Sequence, residues 1–71
     1  MIDFEDIPNS EILKAIDEYV HSKRNREILK RRFIDGEIFE KIAEEFDMSP
    51  RQIKAIVYKH GDRVLRHLTS S

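Results

Sequence analysis

The sequence predicts an all-α, four-helix domain. Apolar residues recur at helical spacing in four stretches, turn residues stand between the stretches, and no stretch alternates as a strand would. Pro8 and Asn9 are turn residues, and Asn9 or Ser10 is placed to cap a helix start. Ile12, Leu13, Ile16 and Val20 then mark one apolar stripe on a helix from about Ser10 to His21. Ser22 is placed to cap a second helix whose stripe is Ile28, Leu29, Phe33 and Ile34, with Arg24, Lys30 and Arg31 facing outward. Asp35-Gly36 ends it, because Gly reaches positive φ at no steric cost. A third helix runs from about Ile38 to Phe46, with Phe39, Ile42, Ala43 and Phe46 inward. After the short connection Asp47-Met48-Ser49, a Ser followed by Pro is a strong helix start. The hydroxyl accepts from an unpaired N–H, and Pro in the first helical position loses no hydrogen bond. The fourth stripe is Ile53, Ile56, Val57, His60, Val64, Leu65 and Leu68. Its register continues across Gly61 and predicts one helix to about Leu68, although Gly there costs about 1 kcal/mol relative to Ala. A break at Gly61-Asp62 is the alternative. Thr69-Ser70-Ser71 is expected to fray.

Length and composition narrow the class. The 71 residues make a single domain, and a chain this small buries only about 60% of its unfolded surface. There is no Cys, which removes disulfides and thiolate metal sites and fits a reducing compartment. No apolar run approaches the roughly 20 residues that span a bilayer. The acidic opening Met1-Ile2-Asp3-Phe4-Glu5-Asp6 has the wrong charge for a signal peptide. A cytoplasmic protein without membrane contact is therefore expected. Charged residues make up 38% of the chain, yet the net charge is only −1 and the apolar spacing is regular, which argues against disorder. The charges are segregated: Met1–Glu18 sums to −5 and the rest to +4. Ser22–Ile34 and Met48–Ser71 are basic, and Asp35–Asp47 between them is acidic. One face for an anionic partner follows.

The informative stretch is Phe39 to Val57. A helix-turn-helix needs a small residue where its helices touch, apolar residues on both sides of the turn, and a turn residue that tolerates the left-handed region. Ala43 supplies the first, Ile42, Phe46, Met48, Ile53 and Ile56 the second, and Asp47 the third. With Ile53, Ile56 and Val57 inward, Arg51, Gln52, Lys54, Ala55, Tyr58 and Lys59 face outward from the helix that begins at Ser49. Arg and Gln can each make paired hydrogen bonds to a base edge in the major groove, and Lys neutralises phosphate. The expected function is sequence-specific binding of double-stranded DNA in transcription regulation. Arg51, Gln52 and Lys54 would read bases, and Lys59, Lys41, Arg31 and Arg32 would hold the backbone. Tyr58 would either pack at the core edge or stack on sugar and phosphate.

A family resemblance rests on these residues. Asn25-Arg26-Glu27-Ile28-Leu29-Lys30-Arg31-Arg32-Phe33-Ile34-Asp35-Gly36 resembles the second-helix signature of sigma-70 family region 4, and Ile42-Ala43-Glu44-Glu45 and Ser49 through Ile56 continue the match in order. The likeness covers residues 24–68. The chain is similar, less closely, to LuxR-type DNA-binding domains, and small phage and prophage regulators often look like an isolated region 4. The resemblance implies a tetrahelical helix-turn-helix, places Arg51, Gln52, Lys54 and Ala55 at promoter-reading positions, and implies contact with RNA polymerase. The sequence departs from the family at Arg51, where many members carry Glu, at Ala55, where many carry Gln, and at Pro50, where many carry Arg. The usual promoter element need not be its target. No segment resembles the promoter-melting region, so a complete sigma factor is not expected.

Other chemistry is not expected. His60 and His67 lie about two helical turns apart, too far to chelate one ion, and His60 lies on the apolar stripe as a core residue. Glu40, Glu44 and Glu45 read as a solvated face. No Gly-rich phosphate loop or nucleophile motif is present, so no enzyme activity, catalytic residue, metal or cofactor is expected. Ile2, Phe4 and Ile7 would either pack back on the core, which a small domain needs for buried area, or dock on a partner. Arg63 and Arg66 extend the basic side of the last helix, toward phosphates or toward solvent. The competing expectation is a protein-interaction module docking on RNA polymerase or another regulator, with the acidic segment 1–9 as its motivating feature. That segment could also restrain DNA binding. A homodimer is a further candidate partner, since a single reading helix commonly gains specificity by pairing.

Overall fold

The computed structural model describes residues 7–69 as helices and short connections. They form α1 (Asn9–Tyr19), α2 (Lys23–Phe33), α3 (Phe39–Phe46) and α4 (Pro50–Thr69), with no strand among the described residues. Ile2, Phe4 and the rest of residues 1–6, and residues 70–71, lie outside the described part.

Each boundary has a local cause. Neither Asn9 nor Ser10 caps α1; the cap position is Pro8, extended at ψ 140°, without a side-chain hydrogen bond. Its carbonyl accepts from the N–H groups of Glu11 and Ile12 at 3.0 and 3.2 Å. Asn9 is already helical because Pro8, with a fixed φ, makes the turn one residue earlier. At α2 the Ser22 hydroxyl accepts from the Asn25 N–H at 3.3 Å. Gly36 at φ 69° then turns the chain, and the N–H groups of Asp35 and Glu37 donate back to the carbonyls of Lys30 and Arg31. The α3 terminus is a Schellman turn: Asp47 takes the left-handed conformation (φ 54°, ψ 46°), and the Met48 N–H donates to the Ala43 carbonyl at 2.9 Å. At α4, Ser49 and Gln52 cap reciprocally. The Ser49 hydroxyl accepts from the Gln52 N–H at 3.1 Å, and Gln52 Oε1 accepts from the Ser49 N–H at 3.0 Å.

The core lies where all four helices meet. Ile12, Ala15 and Ile16 of α1, Val20 just beyond it, Ile28 and Leu29 of α2, Ile42 and Ala43 of α3, and Ile53, Val57 and Val64 of α4 are buried. Ile7, Phe33, Ile34, Phe39, Phe46, Met48, Ile56 and Leu68 pack partly buried around them. No helix among the described residues is long and apolar enough to cross a membrane.

The 20-residue α4 passes through Gly61 unbroken. Gly61 is buried against the Phe33 ring, whose Cζ would lie 2.8 Å from a Cβ added there. Gly is thus a packing requirement set by α2, which offsets its poor helix propensity. Gly61→Ala should destabilise by about 1 kcal/mol, because overpacking costs about 1–3 kcal/mol and outweighs the gain in propensity of about 1 kcal/mol. In a Phe33→Ala background the same change should stabilise by about 1 kcal/mol. Denaturant titration of the four proteins checks the reversal of sign, and an equal effect in both backgrounds would refute the account.

Candidate nucleic-acid interface

The side chains available on α4 follow from which ones it buries. Ile53 and Val57 point inward and Ile56 is half-buried, so Arg51, Gln52, Lys54, Ala55, Tyr58 and Lys59 are exposed on the first turns of the helix, with Ser49 at its start. Tyr58 is 61% exposed and meets the Phe39 ring edge-on at 6.2 Å between centroids, while Lys54 Nζ lies 6.0 Å from the Tyr58 ring. The tyrosine therefore rests on the start of α3 with most of its ring open to solvent. Arg51 and Lys54 line a shallow hollow with Phe39, Glu40 and Pro50, so the start of α3 adjoins the outward face of α4.

Intramolecular contacts sort these residues by availability. Gln52 commits one lone pair of its carbonyl oxygen to the cap, which fixes the direction of the side chain and leaves its amide N–H groups as donors. The Ser-x-x-Gln spacing carried that signal in the sequence. Arg32 is half-buried: Nη1 donates to the Glu37 carbonyl at 3.0 Å, and the guanidinium lies 4.4 Å from the centre of the Phe39 ring. It secures the corner between α2 and α3. Arg31 pairs with Glu45 at 3.5 Å, and Lys41 with Glu37 at 3.8 Å. The Arg31 pair is solvent-accessible and weak, so Arg31 can exchange its carboxylate for a phosphate at small cost. Glu37 is mostly buried, with its second oxygen unpartnered, so Lys41 leaves its carboxylate less readily. Lys59 is exposed on α4 itself.

His60 is half-buried on the side of α4 that faces α2, with Nε2 3.3 Å from Asn25 Nδ2. The Asn25 oxygen accepts from Arg24 Nε and Nη2, so its amide nitrogen is the group turned to His60, and His60 must accept as the neutral ring. Burial, then the charges of Lys59 and Arg63, hold the His60 pKa below its ordinary value. The unfolded chain therefore binds a proton at His60 more readily than the folded one. Stability from this site is present above about pH 6.5 and is lost as pH falls through that value toward the lowered folded pKa. His60→Gln should flatten the fall in melting temperature between about pH 7 and 5; an unchanged slope would exclude His60 as its source. Among the described residues no cluster of three or more His, Cys, Asp or Glu could hold a metal ion.

The candidate interface is therefore an exposed strip of Arg51, Lys54, Ala55, Tyr58 and Lys59 beside the start of α3, while Arg31 on α2 and Lys41 on α3 are engaged in ion pairs with Glu45 and Glu37. Compared with family models, curated proteins and solved structures, the chain finds no match.

Proposed function

We propose that this chain is a transcriptional regulator that binds duplex DNA, with α3 and α4 acting as a helix-turn-helix and the start of α4 entering the major groove. One observation carries the reading: Ile53 and Val57 are buried while Arg51, Lys54, Ala55 and Tyr58 on the same turns are exposed. The left-handed Asp47 and the Schellman turn support it, since they reverse the chain within three residues and set α4 against α3. The resemblance to sigma-70 region 4 supports the same arrangement. In this reading Arg51 and Lys54 take the base edges, Ala55 leaves room for a thymine methyl, and Gln52 acts first as the cap of the reading helix. Lys59, Lys41 and Arg31 contact phosphates, and Arg32 shapes the corner from which they project. Selection of bound sequences from a random duplex pool would identify the site, and a palindrome would show that two copies bind together. For that site, log affinity should fall with log salt by roughly 0.9 per phosphate contacted. A flat salt response, or no binding at low salt, would overturn the proposal.

A second reading has its own observation. Phe33, Phe39, Val57, Tyr58 and Leu65 form the apolar floor of a groove of about 750 Å³ edged by Arg32, Lys59 and Asp62, and Ile38 nearby in sequence is 59% exposed. An apolar groove of this kind suits a protein partner such as RNA polymerase. Leu65→Ser, in the same groove but away from the reading turns, with intact DNA binding but lost polymerase pull-down would favour docking there. Removal of residues 1–6, which carry Asp3, Glu5 and Asp6 and leave the Pro8 cap of α1 in place, tests whether the acidic segment restrains the duplex interface: tighter DNA binding would support restraint.

A further inference from the structure

A second basic site lies away from the reading turns. Tyr19 and His21 at the end of α1, and Arg63, Arg66 and His67 in the second half of α4, line a hollow of about 400 Å³ with no carboxylate among its lining residues. The site is partly organised before any ligand arrives. The His67 ring lies 4.0 Å from that of Tyr19, whereas Arg66 Nε is already engaged by the Asp62 carboxylate at 3.1 Å in a solvent-exposed pair that fixes little. The end of α1 would normally oppose an anion, because a helix C-terminus carries partial negative charge and α1 has no basic residue in its last turn. Arg26 of α2 answers this by donating from Nη1 to the carbonyls of Val20 and His21, at 2.9 Å each. Its charge thus stands behind the hollow. Glu18 lies on the other side of His67, in a separate depression. Lys59, Arg63 and His67 follow one another at four-residue spacing, so one edge of α4 carries the Lys59 and Arg63 charges from the reading turns to this hollow, where His67 offers ring N–H donation.

We propose that this hollow is a phosphate seat, with Arg63 as its principal donor and His21, His67 and the Tyr19 hydroxyl completing the set around one phosphate group. The group comes either from the backbone of a bound duplex, on the flank opposite Lys41, or from a small phosphorylated molecule. As a duplex contact the seat rests on the DNA-binding reading above; as a phosphate site it does not.

The test has two arms. The first titrates inorganic phosphate into the full chain against chloride at matched ionic strength, followed by amide NMR shifts. Saturable shifts confined to residues around Tyr19, His21, Arg63 and His67, weakened at least fivefold in Arg63→Gln and in His67→Gln, are expected. Shifts spread over all basic residues, or unchanged in both variants, would overturn the seat. Both side chains are exposed, so the variants should keep the wild-type melting temperature. The second arm measures duplex binding. If Arg63→Gln weakens all sequences alike and lowers the salt slope by about one phosphate contact, the seat belongs to the duplex. If the variant loses phosphate shifts but keeps duplex affinity, the seat takes a small phosphorylated ligand. Absence of any duplex binding would remove the DNA-binding reading, while the phosphate titration would still decide the seat.

Discussion

Ile53→Ala is expected to unfold most of the protein at physiological temperature. Ile53 is completely buried on the first turns of α4 and belongs to the one core shared by all four helices. Shortening a buried Ile to Ala costs about 2–5 kcal/mol through lost transfer energy and the cavity left behind. A single core in a domain this small rarely supplies more than about 3–5 kcal/mol in total. The neighbours have little room to collapse, since Ile28, Leu29, Ile42 and Val64 are also fully buried. Denaturant unfolding followed by circular dichroism measures the effect. A loss below about 1 kcal/mol would mean that Ile53 is not packed. The outward face of α4 would then be wrongly assigned, and the proposed interface with it.

The second large effect is expected on binding and not on folding. Arg51→Ala and Lys54→Ala should each weaken the selected duplex by about 10- to 100-fold, the loss of about 1–3 kcal/mol that follows when a side chain leaves a base edge. Discrimination at one base pair should relax in each case. Neither side chain supports the core, so the melting temperature should stay near wild type. Lys59→Ala should instead weaken all sequences alike and reduce the salt dependence by about one phosphate contact. Gln52→Ala separates the two roles of its position: through the cap it should cost about 1 kcal/mol of stability, with little change in sequence preference. If Arg51→Ala and Lys54→Ala both leave binding unchanged, α4 is not the reading helix.

Much of this molecule was legible residue by residue. The four- and seven-residue spacing of Ile12, Ile16 and Val20, and of Ile53, Val57 and Val64, marks helices whose inward faces are the buried ones. Ser22 and Ser49 mark the two helix starts that they cap, and Asp47 takes the left-handed turn that its position required. At the start of α1, Pro8, Asn9 and Ser10 all carry turn chemistry, and local pattern does not separate them; the fixed φ of Pro8 puts the cap one residue earlier than Asn9. Gln52 is expected from the sequence as an outward, base-reading side chain, although its spacing from Ser49 also fits the reciprocal cap it makes.

The sequence by itself determined the number and type of helices and which face of each turns inward. Those properties depend on contacts within a few residues, where periodicity and caps act directly. Only the tertiary structure decided why Gly61 is tolerated, that Arg32 is absorbed by Phe39 and the Glu37 carbonyl, and that His21 and Tyr19 share a hollow with Arg63 and His67. Each depends on which helix lies against which, and therefore on groups distant in the chain. The His60–Asn25 contact spans 35 residues, and no local pattern encodes a partner at that distance.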